Sequence, residues 1–180
     1  MPKHTLRRVA ATASFVVLAS VSTCPARADP SQVSFAALIG RPIDDNGPSM
    51  GFGLRGGVKL AGTAAPYFGA RVLRFSDSTD LTVASTVTTY DLTVEAGYEW
   101  TFGPLAVRPQ LALGIEDVTV STPYFSGRSV DSAILVPGVV VTCEVSHPLF
   151  VGLEIDYTKL FQDVTDSHYL SVYLEAGAKF

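Results

Sequence analysis

The sequence predicts an all-β fold, an eight-stranded antiparallel up-and-down barrel that spans a membrane, and three observations support this prediction. Beyond residue 30, β-branched and aromatic residues recur with period two between clusters of Gly, Pro, Asp, Asn and Ser, as is typical of strands separated by turns. The connections between these segments alternate between short and long. Along several segments every second residue is apolar, so one face of each strand meets an apolar phase.

The chain begins with the features of a secretory signal peptide. A short apolar run follows the basic residues Lys3, Arg7 and Arg8, and an A-x-A cleavage signature follows at Ala26–Arg27–Ala28. The run is too short and too rich in Ala, Ser and Thr for a membrane-spanning helix. We therefore predict a cleaved signal peptide at residues 1–28 and a single barrel domain at residues 29–180.

The charge balance bears on the partners of the exported chain. Removal of residues 1–28 would leave nine of the 13 basic residues against 17 acidic ones, a formal net charge of about −8. Nucleic acid is recognised through basic stripes that neutralise phosphates, so the sequence predicts no nucleic-acid partner. Cys143 would be the only remaining cysteine, which leaves no intramolecular disulfide to stabilise the domain.

Eight strands account for the domain. They are predicted at 32–40, 50–60, 65–75, 86–100, 105–117, 131–145, 149–162 and 167–180. Short turns at 61–64, 101–104 and 146–148 alternate with polar connections at 41–49, 76–85 and 118–130 and a shorter one at 163–166. An even strand count with long connections on one rim and short turns on the other is the layout of a bacterial outer-membrane barrel.

The fourth strand illustrates the two faces. Its apolar positions carry aromatic residues at both ends, Tyr90 at one end and Tyr98 and Trp100 at the other, as expected for rings that lie between headgroups and hydrocarbon. Cys143 falls on an apolar face, which predicts lipid contact. Pro109 and Pro137 lie inside predicted strands, where proline lacks a ladder donor, so they predict either bulges or displaced strand boundaries.

The last strand, "YLSVYLEAGAKF", alternates apolar and polar residues and ends on an aromatic ring. Together with the signal peptide and the alternating connections, it makes the chain resemble the small eight-stranded outer-membrane barrels of the OmpA/OmpX type over the whole predicted domain. The resemblance implies that this strand is recognised by the outer-membrane assembly machinery, through the apolar file that includes Leu170, Val172, Leu174 and Phe180. It also implies export to the bacterial outer membrane and contact with outer-membrane lipid.

The opposite faces of the strands carry both signs of charge. An eight-stranded barrel has an interior just wide enough to be filled by side chains, and unpaired charges in such a space are costly, so we predict a network of ion pairs in the lumen. Its predicted members are Arg55, Lys59, Arg71, Asp91, Glu95, Glu99, Arg108, Glu116, Glu144, Glu154, Asp156, Glu175 and Lys179.

Several functions are compatible with such a barrel. The leading prediction is a structural or surface-interaction role, as a monomer and without catalysis, cofactor or metal; no motif identifies the surface partner. The runner-up is a small-solute or ion pore. Two other functions are less favoured. A soluble periplasmic binder of the lipocalin kind would need the apolar face inside and the charges outside. A lipid A hydrolase would need a base and a nucleophile on one face, but His168 and Ser171 fall on opposite faces of one strand. The acidic turn at 44–47 lacks the remaining spacing of a calcium loop.

Overall fold

The structure, a computed structural model, describes residues 30–43, 49–79, 85–122, 125–161 and 167–180. The predicted signal peptide and the acidic turn at 44–47 lie outside these residues. Eight strands are present, and each predicted strand is confirmed. Their bounds are β1 Gln32–Pro42, β2 Gly51–Lys59, β3 Ala64–Thr79, β4 Ser85–Phe102, β5 Leu105–Thr122, β6 Phe125–Ser146, β7 Leu149–Phe161 and β8 Ser167–Lys179.

The strands form one closed antiparallel barrel. Each strand pairs with its neighbours in the sequence, and β1 closes the ring by pairing with β8. At the seam, Val33 N donates to Phe180 O (2.9 Å) and Phe180 N donates to Val33 O (2.8 Å). The predicted fold class is therefore confirmed. Among the described residues, no helix is long and apolar enough to cross a membrane.

The rim that holds the short connections consists of tight turns. Gly62 and Gly103 have φ values of +134° and +63°, a region that glycine adopts without a steric penalty. The third turn contains a cis peptide bond between His147 and Pro148. Three short connections on one rim hold the strands in the up-and-down order that the alternating lengths predicted.

On the opposite rim, three strands extend further than the sequence predicts. β3 continues to Thr79, β5 continues to Thr122 and β6 begins at Phe125. β4 begins at Ser85, within a residue of its predicted start. The sequence predicts loops in these segments because they are polar. Residues 118–122, VTVST, are nevertheless mostly Thr and Val, whose branched side chains favour an extended backbone.

Neither proline marks a bulge or a displaced boundary. Pro109 and Pro137 both lie on the outer face of the barrel, well inside β5 and β6. On the β4 side of Pro109 and on the β7 side of Pro137, the ladder lacks two pairings and then resumes in the same register. Because proline has no N–H, each ladder loses donors locally while the register survives. The register shifts occur elsewhere, between Val120 and Thr122 and between Glu144 and Ser146.

Alternation along the strands sorts the side chains into an outer belt and a filled interior. The interior holds most of the buried residues, and the outer face exposes large apolar side chains on all eight strands. Soluble monomers rarely expose contiguous apolar patches of this extent. The outer belt is therefore the lipid-facing surface of a membrane barrel.

Candidate functional site

Arg55 lies at the centre of the charged part of the lumen. Its guanidinium donates to three carboxylates on three other strands: Glu95 (2.9 Å), Glu154 (2.5 Å) and Glu175 (2.7 Å). The side chain is buried. A planar guanidinium with five donors in a fixed fork can satisfy several carboxylates at once, so one residue joins β2 to β4, β7 and β8 across the interior.

A second arginine shares the same acidic partners. Arg71 is the cross-strand neighbour of Arg55, and its Nη1 lies 2.9 Å from Glu154 Oε1 and 2.5 Å from Asp156 Oδ2. Glu154, with 0% exposure, also accepts a hydrogen bond from Gln110 Nε2 (2.8 Å). Two like charges can lie side by side here because Glu154 lies between them and compensates both.

A third group of charges surrounds Glu99 at the rim of the short turns. Glu99 Oε2 lies 3.2 Å from Arg108 Nη1, and Glu99 Oε1 lies 3.8 Å from Lys59 Nζ and 3.7 Å from Lys179 Nζ. The two lysines also donate to threonine hydroxyls, at 2.6 Å and 3.3 Å respectively. Three basic groups from three strands thus converge on one carboxylate and fill this end of the lumen.

Two predicted members of the charge network lie nearer the rim of the long connections than Arg55 and Arg71 do. Asp91 and Glu116 are buried cross-strand neighbours on β4 and β5. Glu116 accepts a hydrogen bond from the Tyr169 hydroxyl (3.0 Å). This pair lies apart from the ion pairs around Arg55 and Arg71, although it lines the same interior.

Glu144 does not join the network, which corrects the sequence prediction. Its side chain is exposed, and Glu144 Oε1 lies 3.8 Å from His147 Nδ1 in the adjoining turn. Glu144 still pairs with Phe150 in the register of the residues before it, and the β6–β7 ladder shifts only after it. As the last in-register residue of β6 it lies beside the turn, where its side chain reaches solvent. The carboxylate is therefore solvated at the rim.

The lumen also contains an apolar plug that is not among the residues predicted from the sequence. Towards the long-connection rim, two clusters of buried side chains fill the interior. One consists of Leu38, Leu73, Phe75 and Tyr173, and the other of Ala112, Ile134, Val136, Leu160 and Tyr169. The Arg71 guanidinium lies 5.5 Å from the centre of the Tyr173 ring, so the ion pairs and the plug are in contact. The sequence does contain a sign of this plug, because apolar residues occupy inward positions on strands where a polar face is expected.

Tyr67 is a further interior residue that charge patterns could not reveal. Arg108 lies 3.7 Å above its ring. The ring covers Gly57 and Gly69, where any side chain would collide with it. The absence of side chains at these glycines gives the ring room to lie flat along the inner wall beneath Arg108.

The predicted interfacial aromatics lie on the outer face. Tyr90, Tyr98 and Trp100 are all exposed. The Tyr98 and Trp100 rings pack 5.0 Å apart near the short-turn rim, whereas Tyr90 lies near the opposite rim, 5.8 Å from the Arg74 guanidinium. The two groups therefore border the apolar belt from opposite sides, as headgroup-level aromatics do. Cys143, partly exposed, lies on the same outer face.

The apolar file of the last strand also faces outwards. Leu170, Leu174 and Phe180 are exposed, the last at 69%, and Val172 shares their face. The Phe180 side chain therefore contributes little burial to the folded barrel. Its predicted role in assembly stays a prediction.

No catalytic arrangement is formed by the residues considered for hydrolysis. His168 is exposed on the outer face, beside the Tyr157 ring at 5.7 Å, whereas Ser171 is fully buried in the lumen. The barrel wall separates them. Within the ranges that the structure describes, no group of three or more His, Cys, Asp or Glu side chains is arranged to hold a metal ion.

Comparisons with solved structures agree on the fold. The chain is similar to a major outer membrane protein from Thermus thermophilus (TM-score 0.61, 15% identity, 83% of this chain and 98% of the other). It is also similar to Ail, the attachment invasion locus protein of Yersinia pestis (TM-score 0.58, 14% identity, 84% of this chain and 99% of the other). A third similar structure is the N-terminal β-barrel domain of Pseudomonas aeruginosa OprF (TM-score 0.57, 14% identity, 86% of this chain and 100% of the other). No protein-family model and no curated protein matches the sequence.

Proposed function

We propose that this protein is an outer-membrane barrel with a closed lumen that acts by structural support and by presenting a surface for interaction, without catalysis. The observation that carries the proposal is the extension of β3–β6 beyond the lipid-facing belt. On the outer face of the β5–β6 pair the apolar file ends at Ile115, and the next outward residues are Asp117 and its neighbour Asp131. The strands continue beyond that level.

The extended segments form a projecting sheet, which we define as residues 76–79, 85–89, 118–122 and 125–132. Its four strands remain paired in the order β3-β4-β5-β6. In outer-membrane barrels the longer connections face the cell exterior, so the projecting sheet would lie outside the cell. The attachment protein Ail, which has the same fold, supports a role at this surface.

The filled lumen favours this role over the alternative of a pore. The ion pairs around Arg55 and Arg71, the apolar plug and the charges around Glu99 lie one after another along the interior. An eight-stranded barrel leaves little room beyond its own side chains. Hydrolysis is disfavoured because the barrel wall separates His168 from Ser171, so the two side chains cannot act together as base and nucleophile. We propose that the partners in the membrane are lipid and the assembly machinery, and that the barrel is a monomer.

A truncation tests the surface role. Residues 118–130 are replaced by Asn-Gly, which suits a two-residue hairpin turn between the paired Asp117 and Asp131. Cells that produce either barrel are compared for adhesion to plates coated with serum proteins. We expect the truncated barrel to support less adhesion while it still migrates differently before and after boiling, which reports a folded barrel.

The control shortens residues 80–84 to Asn-Gly and leaves the projecting sheet in place. It should adhere like the unmodified protein. Equal adhesion by all three barrels at equal outer-membrane levels would reject the surface role and leave structural support.

A further inference from the structure

We propose that Asp91 and Glu116 form a calcium site inside the lumen, in which the two carboxylates share one divalent cation and the Thr93 hydroxyl is a further ligand. The site lies between the two clusters of the apolar plug. It involves no residue of the projecting sheet, so it does not depend on the proposed surface role.

The ion pairs of the lumen leave two negative charges without a partner. Among the described residues, seven carboxylates are buried in the lumen and five basic side chains enter it. The basic side chains, Arg55, Lys59, Arg71, Arg108 and Lys179, pair with Glu95, Glu99, Glu154, Asp156 and Glu175. Within the described ranges, no basic side chain forms an ion pair with Asp91 or Glu116. Buried charges without compensation are costly, so this pair requires positive charge from another source.

Arg71 does not supply that charge. It pairs with Thr93 across the β3–β4 ladder, one inward position away from Asp91. Its Nη1 is held by Glu154 (2.9 Å) and Asp156 (2.5 Å). A turn of the guanidinium towards Asp91 would therefore expose two other buried carboxylates to the same cost.

The register brings the two carboxylates close enough to share one cation. Asp91 on β4 and Glu116 on β5 are directly paired, and both are buried on the inner face. The Cβ atoms of residues in that position are about 4.5–5.5 Å apart. The Tyr169 hydroxyl donates to Glu116 Oε2 (3.0 Å), which fixes the orientation of that carboxylate.

Buried polar atoms at this place also lack partners. Asp91 is 3% exposed, and its Oδ1 has no hydrogen bond. Thr93, the next inward residue on β4, is 1% exposed, and its hydroxyl has none either. Calcium binds about six to eight oxygen atoms in flexible geometry, whereas magnesium requires a near-ideal octahedron and keeps several waters. A narrow site with carboxylate and hydroxyl oxygens therefore favours calcium.

Apolar side chains surround the pair. Leu73, the cross-strand neighbour of Asp91, belongs to one cluster of the plug, and Ile134 and Tyr169 belong to the other. In such an environment the attraction between a cation and two carboxylates is much stronger than in water. Because the same side chains close the lumen, the cation would enter while the barrel folds.

The experiment refolds the full barrel from urea into detergent micelles with calcium. Free calcium is then removed by gel filtration, and the retained metal is measured by mass spectrometry. We expect one calcium ion per barrel in the unmodified protein and none in Asp91→Asn. Glu144→Gln is the matched control, since its carboxylate is exposed at the rim, and it should retain calcium fully. Refolding with magnesium should leave less bound metal.

Urea titration distinguishes a cation site from a purely structural pair. The folding equilibrium constant of the unmodified barrel should rise about tenfold for each tenfold increase in free calcium above the Kd, and that of Asp91→Asn should not change. Without calcium, Asp91→Asn should be at least as stable as the unmodified barrel, because an uncompensated charge is removed. Asp156→Asn takes a partner from Arg71 and should be less stable under both conditions.

Thr93→Val keeps the side-chain volume and removes the hydroxyl, so it should weaken calcium binding about tenfold. A barrel that retains no calcium, or retains it equally after Asp91→Asn, would overturn the site. Equal stability with and without calcium would also overturn it and would indicate that the two carboxyl groups share a proton. If Asp91→Asn does not refold, Glu116→Gln takes its place, and undiminished calcium retention by that variant would overturn the proposal.

Discussion

A single buried guanidinium, that of Arg55, contacts carboxylates on three strands. Replacement by methionine would keep much of the side-chain volume and remove the charge. We predict a loss of about 3–5 kcal/mol in the free energy of unfolding, because the remaining buried carboxylates would lose a compensating charge. The measurement is a urea titration in detergent micelles.

The matched variant is Arg41→Met. Arg41 is exposed on the outer face, and the same change there should cost less than about 1 kcal/mol. Equal losses at both positions would show that the lumen contacts of Arg55 do not stabilise the barrel.

Neighbouring residues on β4 test the two sides of the wall. Leu92 is 55% exposed and faces lipid, whereas Thr93 is 1% exposed and faces the lumen. We predict that Leu92→Arg destabilises the barrel by about 2–4 kcal/mol in a refolding titration in lipid vesicles. Thr93→Ser should change it by less than about 1 kcal/mol. A small effect at Leu92 would place it outside the hydrocarbon.

Twelve of the 13 proposed lumen residues lie inside the barrel, and the exception has a physical cause. Glu144 lies at the end of the β6–β7 ladder beside a turn, and alternation along a strand does not show how close a position is to the rim. The partners inside the lumen could not be predicted either. Arg55 contacts Glu175 from 120 residues away, and such contacts depend on the tilt and stagger of the closed sheet.

At the scale of one element, the last strand, β8, allows a role in assembly to be tested separately from a role in stability. Phe180 closes the seam through its backbone, while its ring is largely exposed. We predict that Phe180→Ser lowers outer-membrane levels in cells but changes the free energy of unfolding of the purified barrel by less than about 1 kcal/mol, as for other exposed positions. Levels are measured by fractionation, and stability by urea titration.

The control is Phe35→Ser on the adjoining strand β1, where the ring is also exposed on the outer face. It should spare assembly more than Phe180→Ser does. Normal outer-membrane levels of the Phe180 variant would remove the assembly role.

The strands themselves were predictable to different degrees. β7 and β8 match their predicted bounds within a residue or two because turn residues end them on both sides. β6 begins at Phe125, six residues before its predicted start at 131. Residues 125–130, FSGRSV, are mostly polar and include a glycine, which is disfavoured in strands, so the sequence predicts a loop there. The strand continues because it pairs with β5, a contact that local propensity does not reveal.

For the whole molecule, the filled interior predicts a barrel that does not conduct. In planar bilayers we expect the purified protein to show no stable open channel. Arg108→Ala would open space between Tyr67 and Glu99 and leave the carboxylate with fewer partners. We expect this variant to show more frequent conductance events and lower stability.

Frequent, stable openings of the unmodified protein would favour the pore instead. A variant that is less stable and equally silent would show that the apolar plug alone is enough to close the lumen. The plug variant Phe75→Ala then distinguishes the two barriers.

The hydrogen bonds between Val33 and Phe180 hold the first and last strands side by side. The order of the strands along the chain can therefore be changed while their order around the barrel stays the same. A short linker from residue 180 to residue 30 would let the chain be circularly permuted, with new ends opened at the turn that contains Gly103. The permuted chain keeps every strand pair, so it should refold from urea in micelles. In cells its last strand would be β4 instead of β8, and we expect it to accumulate in the periplasm. Equal assembly of both chains would mean that the machinery recognises the closed surface and not a terminal strand.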